Sequence, residues 1–134
     1  MFSHIFVSVS DFDRALAFYR PVMASLGIAE RFCDATRPWA GWHSAGGARP
    51  LFVICHPHDG HPHAPGNGQM VAFLASDRAA VHLAHAAALA HGGHCEGPPG
   101  PRPQYHAQYH GAYFRDPDGN KFGVACHAPA PASG

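Results

Sequence analysis

An internal repeat constrains this chain more than any other feature. Residues 70–77, MVAFLASD, match residues 4–11, HIFVSVSD, at an offset of 66 positions in a chain of 134. Both segments end in Ser-Asp, and both lead into a helical pattern closed by glycine. In the first copy Phe12, Ala15, Leu16, Tyr19, Met23 and Leu26 recur at helical spacing before Gly27. In the second, Arg78 to His91 runs into Gly92-Gly93. Two copies of one strand–helix unit, each too small to bury its own apolar face, predict an α+β domain whose sheets pack around a shared cavity.

The chain reads consistently around that repeat. Residues 4–10 alternate at period 2 as a strand, and Asp11 is placed to cap a helix over 12–26. Pro21 lies inside that helix and predicts a bend near Arg20. Short strands follow at about 28–34, 37–43 and 50–55, with a turn at Gly46-Gly47. The Pro-, Gly- and His-rich stretch 57–67 is a linker between units at about 1–56 and 68–127. Residues 96–104, EGPPGPRPQ, read as a loop, ahead of strands at 105–115 and 120–127 joined by the turn Asp116-Pro117-Asp118-Gly119. The Pro/Ala-rich tail 128–134 is expected to be flexible.

Composition narrows the function classes. Nine Lys and Arg balance nine Asp and Glu, so no basic face is available for nucleic acid or an anionic membrane. No run of about 18 apolar residues is present and the first residues lack the pattern of a signal peptide, so a cytoplasmic location is expected. Four widely spaced cysteines without a CxxC pair read as reduced thiols. Thirteen histidines outnumber the nine Lys and Arg, which places the solubility minimum near neutrality. Four of them crowd residues 56–63, HPHDGHPH, where they either converge on one ion or form a solvated loop that takes up Ni²⁺ or Zn²⁺ weakly.

The opening HIFVSVSDFDRALAFYRPVMASLGI, the central GNGQMVAF and the closing YFRDPDGNKFGVACH together resemble the glyoxalase/bleomycin-resistance/dioxygenase family, the vicinal oxygen chelate superfamily. The resemblance implies two βαβββ units forming a curved, barrel-like mixed sheet around one cleft, and a homodimer. It also implies a small-molecule ligand and a divalent metal that acts as a Lewis acid. Carried over residue by residue, His4 matches a metal-ligand position of the family, while Met70 and Gly123 stand at the other two. One imidazole holds Zn²⁺, Ni²⁺, Mn²⁺ or Fe²⁺ only weakly, because catalytic sites generally use about three protein ligands.

By the same resemblance, Arg102, Tyr105, His106 and Tyr109 belong at the cleft mouth as ligand contacts. Trp42, with Trp39 and His43, is the candidate lining from the first unit. The expected function is small-molecule binding in the cleft with the usual metal site degraded. The alternatives are a divalent-metal-dependent lyase or dioxygenase, and a binding-only resistance or sequestration protein. The sequence offers no glycine loop for phosphates and no nucleophile elbow.

Overall fold

A computed structural model describes residues 1–131. The first half runs β1 (His4–Ser8), α1 (Phe12–Ser25), β2 (Glu30–Asp34), β3 (Trp39–Ser44) and β4 (Gly47–Cys55). The second repeats the order as β5 (Val71–Leu74), α2 (Arg78–Ala90), β6 (His94–Pro101), β7 (His110–Arg115) and β8 (Lys121–Cys126). Each half builds one four-stranded mixed sheet, in the orders β1-β4-β3-β2 and β5-β8-β7-β6, and the two sheets are not closed into a barrel. The last three residues of the expected tail, 132–134, lie outside the described residues.

The repeat extends to the helix ends. Asp11 Oδ1 accepts from the Arg14 amide at 3.0 Å and Asp77 Oδ1 from the Ala80 amide at 2.8 Å, each satisfying a free donor of the first turn. At the other ends Gly27 and Gly92 take positive φ, which lets the Ile28 amide reach the Met23 carbonyl and the Gly93 amide reach the Ala88 carbonyl. Helix α1 is continuous through Pro21 to Ser25.

One segment departs from expectation. Residues 94–101, expected mostly as loop, form strand β6 although Pro98, Pro99 and Pro101 lie in it. β6 is the outer strand of its sheet and its register against β7 shifts twice, so its prolines fall where an edge strand with bulges lacks no essential donor. Residues 105–109, expected as strand, instead make tight turns, and β7 starts at His110.

Alternation along the strands divides each sheet into two faces. Trp42, Phe52 and Ile54 of the first sheet and Ala112, Phe114, Phe122 and Val124 of the second are buried toward the helices. A shared aromatic core joins the halves, with Phe52 and Phe73 rings 5.1 Å apart and Tyr19 and Phe122 5.6 Å apart. Residues of the other parity, His4, Phe6 and Ser8 on β1 and Ala72 and Leu74 on β5, look away from the helices onto what we term the open face.

The turn after β7 ties the second half to the first. The Tyr19 hydroxyl donates to buried Asp116 Oδ2 at 2.5 Å, and the same carboxylate accepts from the Asp118 and Asn120 amides and from Asn120 Nδ2. Asp118 takes hydrogen bonds from the Ser10 amide and hydroxyl and pairs with Arg14 at 3.0 Å. Asn120 Nδ2 also donates to the Ser8 carbonyl at 2.9 Å. Asp116 ionises above the usual carboxylate range because burial outweighs these donors, and burial beside Asp116 likewise holds the Tyr19 phenol well above its ordinary value.

Candidate functional site

The open face of the second sheet is built around tyrosines seated on glycines. The register sets Tyr113 of β7 beside Gly123 of β8 and Gly97 of β6. A Cβ at Gly123 would meet the Tyr113 ring at 3.2 Å, and one at Gly97 would meet it at 3.0 Å. Gly111 likewise leaves room for the Tyr109 ring, which a Cβ there would meet at 2.8 Å. Tyr109 is turned back over the sheet because the Arg102 amide donates to its carbonyl at 3.0 Å and its own amide donates to His106 at 3.2 Å. The hydroxyls of Tyr109 and Tyr113 then meet at 2.8 Å, and Tyr105 stands edge-on to Tyr109 at 4.9 Å.

These rings wall a recess of about 410 Å³ completed by Met70, Glu96 and Lys121. Arg102 lies 5.7 Å from the Tyr113 ring and Lys121 6.0 Å from it. Burial, reinforced by the bond to Tyr109, pushes the Tyr113 phenol up, so it stays protonated and can donate. Glu96 is held below its usual range by hydrogen bonding to Arg115 Nε at 2.5 Å. A flat apolar body against the rings and a polar head at the floor is what this lining accommodates.

Of the residues singled out in the sequence, Tyr105 and Tyr109 border the recess and Arg102 stands beside Tyr113. His106 supports them from behind: its Nε2 lies 2.8 Å from His127 Nδ1 and its ring packs against Tyr109. Trp42 is a correction. It is 1% exposed, on the helix side of β3 against Tyr19 and Phe52, and takes no part in the site. Period 2 on a strand sends Trp39 and Trp42 to opposite faces, so only one of the two could ever reach the open face. Trp39 does, tilted against Phe32 with ring centroids 4.8 Å apart and under Arg37, while His43 is exposed and borders a separate recess of about 370 Å³ between the first sheet and β5. Tyr113, Lys121 and Glu96 escaped sequence reasoning. The alternation of Tyr113 with buried Ala112 and Phe114 was the signal for the first of them.

A third, smaller recess of about 170 Å³ lies between β1 and residues 63–71. There Ser8 Oγ and His63 Nδ1 are 2.6 Å apart, so one member of the His-rich segment folds back onto β1.

The side chains at the positions where the resemblance implies a metal are poor ligands. His4 is exposed, bonded to Ser3 Oγ at 2.9 Å and packed on Phe6 at 5.1 Å. Met70 is 46% exposed and offers only a thioether. At position 123 the place of a ligand side chain is filled by the Tyr113 ring. Among the described residues no group of three or more His, Cys, Asp or Glu is arranged to hold a metal ion, the 56–63 segment included. The donor set does not fit a hard divalent cation, whether the three positions meet within one chain or across two copies.

Comparison with known proteins agrees with this architecture. The chain matches the Glyoxalase/Bleomycin resistance protein/Dioxygenase superfamily over residues 1–124. A crystal structure of a glyoxalase/bleomycin resistance protein from Albidiferax ferrireducens T118 is 35% identical, with a TM-score of 0.83, covering 93% of this chain and 98% of that one. A glyoxalase/bleomycin resistance protein/dioxygenase family enzyme from Burkholderia phytofirmans PsJN is 18% identical, with a TM-score of 0.68 and coverage of 94% and 98%. A mutant of the fosfomycin resistance protein FosX from Listeria monocytogenes, complexed with Mn(II) and a dihydroxypropylphosphonic acid, is 21% identical, with a TM-score of 0.65 and coverage of 92% and 87%. The last two share the fold alone. No curated protein sequence matches. With its βαβββ repeat and a match across nearly its whole length, the chain belongs to the Glyoxalase/Bleomycin resistance protein/Dioxygenase superfamily.

Proposed function

We propose that this chain is a small-molecule-binding member of the superfamily, that its recognition surface is the tyrosine-walled recess of the second sheet, and that the superfamily's usual metal site is degraded. The observation that carries this reading is the exchange at Gly123. Where the resemblance calls for a ligating side chain there is none, and the vacated space seats Tyr113, a wall of the recess. A pocket of convergent aromatic rings with a few polar groups is the usual form of a small-molecule site. Binding without metal chemistry, as in a sequestering protein, follows from that exchange.

Two further expectations go with it. Phe6 and Leu74 are 55% and 70% exposed on β1 and β5, which supports a homodimer that covers them. Four free cysteines, with Cys33 and Cys95 exposed, support a reducing, cytoplasmic location.

The test is a ligand-observed NMR screen of small aromatic compounds against the wild type and Tyr109→Ala. Compounds that bind the wild type and lose at least about tenfold in affinity with Tyr109→Ala support the site. Binders indifferent to Tyr109 would contradict it.

A further inference from the structure

The charges around the recess say more than its shape does. Four ionised side chains stand at or beside it: Arg102, Arg115, Lys121 and the single acid Glu96. Glu96 is already paired with Arg115, whose Nη1 also donates to the Gly119 carbonyl at 2.8 Å. Arg102 turns both Nη atoms onto the Pro98 and Pro101 carbonyls at 2.7 and 3.2 Å, neutral partners that aim its fork at the chain without cancelling its charge. Lys121 is different. Among the described residues its ammonium makes no hydrogen bond and no ion pair, yet it lines the tyrosine recess, the small recess against β1, and a shallow stretch between them bordered by Pro65, Asn67 and Arg115.

We propose that the ligand of this site is an aromatic carboxylate, its ring held between Tyr105, Tyr109 and Met70 and its carboxylate on Lys121. The inference rests on the small-molecule reading above and adds the ligand's charge class. Three observations converge on it. The cation is unpaired, and a charge on a half-buried residue such as Lys121 gains more from a counter-charge than a fully solvated one does. Phenols stand close by, and Tyr109 and Tyr113 together keep one hydroxyl proton for a second carboxylate oxygen after bonding each other. A lysine is a point charge suited to a single carboxylate, and Arg102 beside Tyr113 adds to the positive potential there without offering its fork. A phosphate dianion calls for forked guanidinium donors aimed at it, and both neighbouring arginines have their forks turned onto protein oxygens.

The probes are 1-naphthoate and its neutral isostere 1-naphthamide, titrated by calorimetry or ligand-observed NMR into wild type, Lys121→Met, Lys121→Arg and Tyr109→Ala. The wild type should prefer the acid by about tenfold, and the preference should shrink as salt rises. Lys121→Met should bring the acid down to the level of the amide, and Lys121→Arg should retain most of the preference. Tyr109→Ala should weaken both probes alike. Equal affinity of the wild type for acid and amide, a preference that survives Lys121→Met, or no measurable binding of naphthoate would each overturn the charge assignment. If acid and amide bind equally yet both respond to Tyr109→Ala, the site stands and the charge class alone falls. If neither responds to Tyr109→Ala, the site itself is misplaced.

Discussion

The two open faces descend from one repeated unit and have been put to different uses. On the first sheet a glycine, Gly41, lies under the Phe32 ring, and the face carries Phe6, Trp39 and exposed His4. On the second sheet Gly123 lies under Tyr113, and the face carries three phenols, two arginines and an unpaired lysine. The backbone device is the same, an aromatic ring seated on a strand glycine. The chemistry is not: the aromatic groups on one side carry no hydroxyl, while those on the other are phenols beside a lysine without a partner. The lesson is that a repeat transmits strand register and cap chemistry while leaving the outward-facing positions free to diverge.

The largest effect should come from severing what holds the two faces in one body. Asp116→Ala leaves the Tyr19 hydroxyl, the Asn120 side chain and two amides without their acceptor, and should cost about 3 kcal/mol in urea denaturation. A loss under about 1 kcal/mol would show that the halves hold together by the aromatic core alone.

Next, the two glycines can be compared directly. Gly123→Val drives its side chain into Tyr113 and Ala72, so it should cost about 1–3 kcal/mol and abolish binding in the recess. Gly41→Val presses on half-exposed Phe32, whose ring can swing outward, so the loss should be smaller and ligand binding unchanged. Equal effects of both on binding would erase the distinction between the faces.

A subtler contrast lies in pH. Buried histidines sit only in the second half among the described residues: His85, 3.2 Å from Cys95, and His110, 3.1 Å from His82. Desolvation lowers both below the ordinary imidazole value of about 6.5. The unfolded chain therefore binds more protons below that value, and stability present above it is lost as pH falls. The melting temperature should drop between pH 7 and 5 with α2 and β7 losing amide protection before β2 and β3, and His110→Phe should blunt the drop. The reverse order of protection would place the acid sensitivity elsewhere.

The smallest effect should be His4→Ala. An exposed histidine with one serine partner should change stability by less than about 0.5 kcal/mol and leave Zn²⁺ affinity where the wild type has it.

Much of the fold was legible because it is written in local chemistry. The Ser-Asp endings, the closing glycines and the DPDG turn each act through neighbouring backbone and did so in the structure. Strand β6 was hidden because proline content argues for a loop unless edge position is known, and edge position is a property of the assembled sheet. The candidate site was half legible. Tyr105 and Tyr109 came from the family pattern, but Tyr113 and Lys121 become site residues only through register, which sets them beside Gly123 and Glu96. Trp42 misled because an aromatic serves a core as readily as a ligand surface, and its parity along β3 was the information that decided between them.

The most direct test of the account is an amide-resolved NMR titration with Mn²⁺, whose unpaired electrons broaden signals near any bound ion. With the ring of Tyr113 in the ligand's place, the amides of Gly123 and Ala72 should keep their intensity at one equivalent of Mn²⁺. Early, stoichiometric loss of the Gly123 and Ala72 signals together with those of His4 would contradict it.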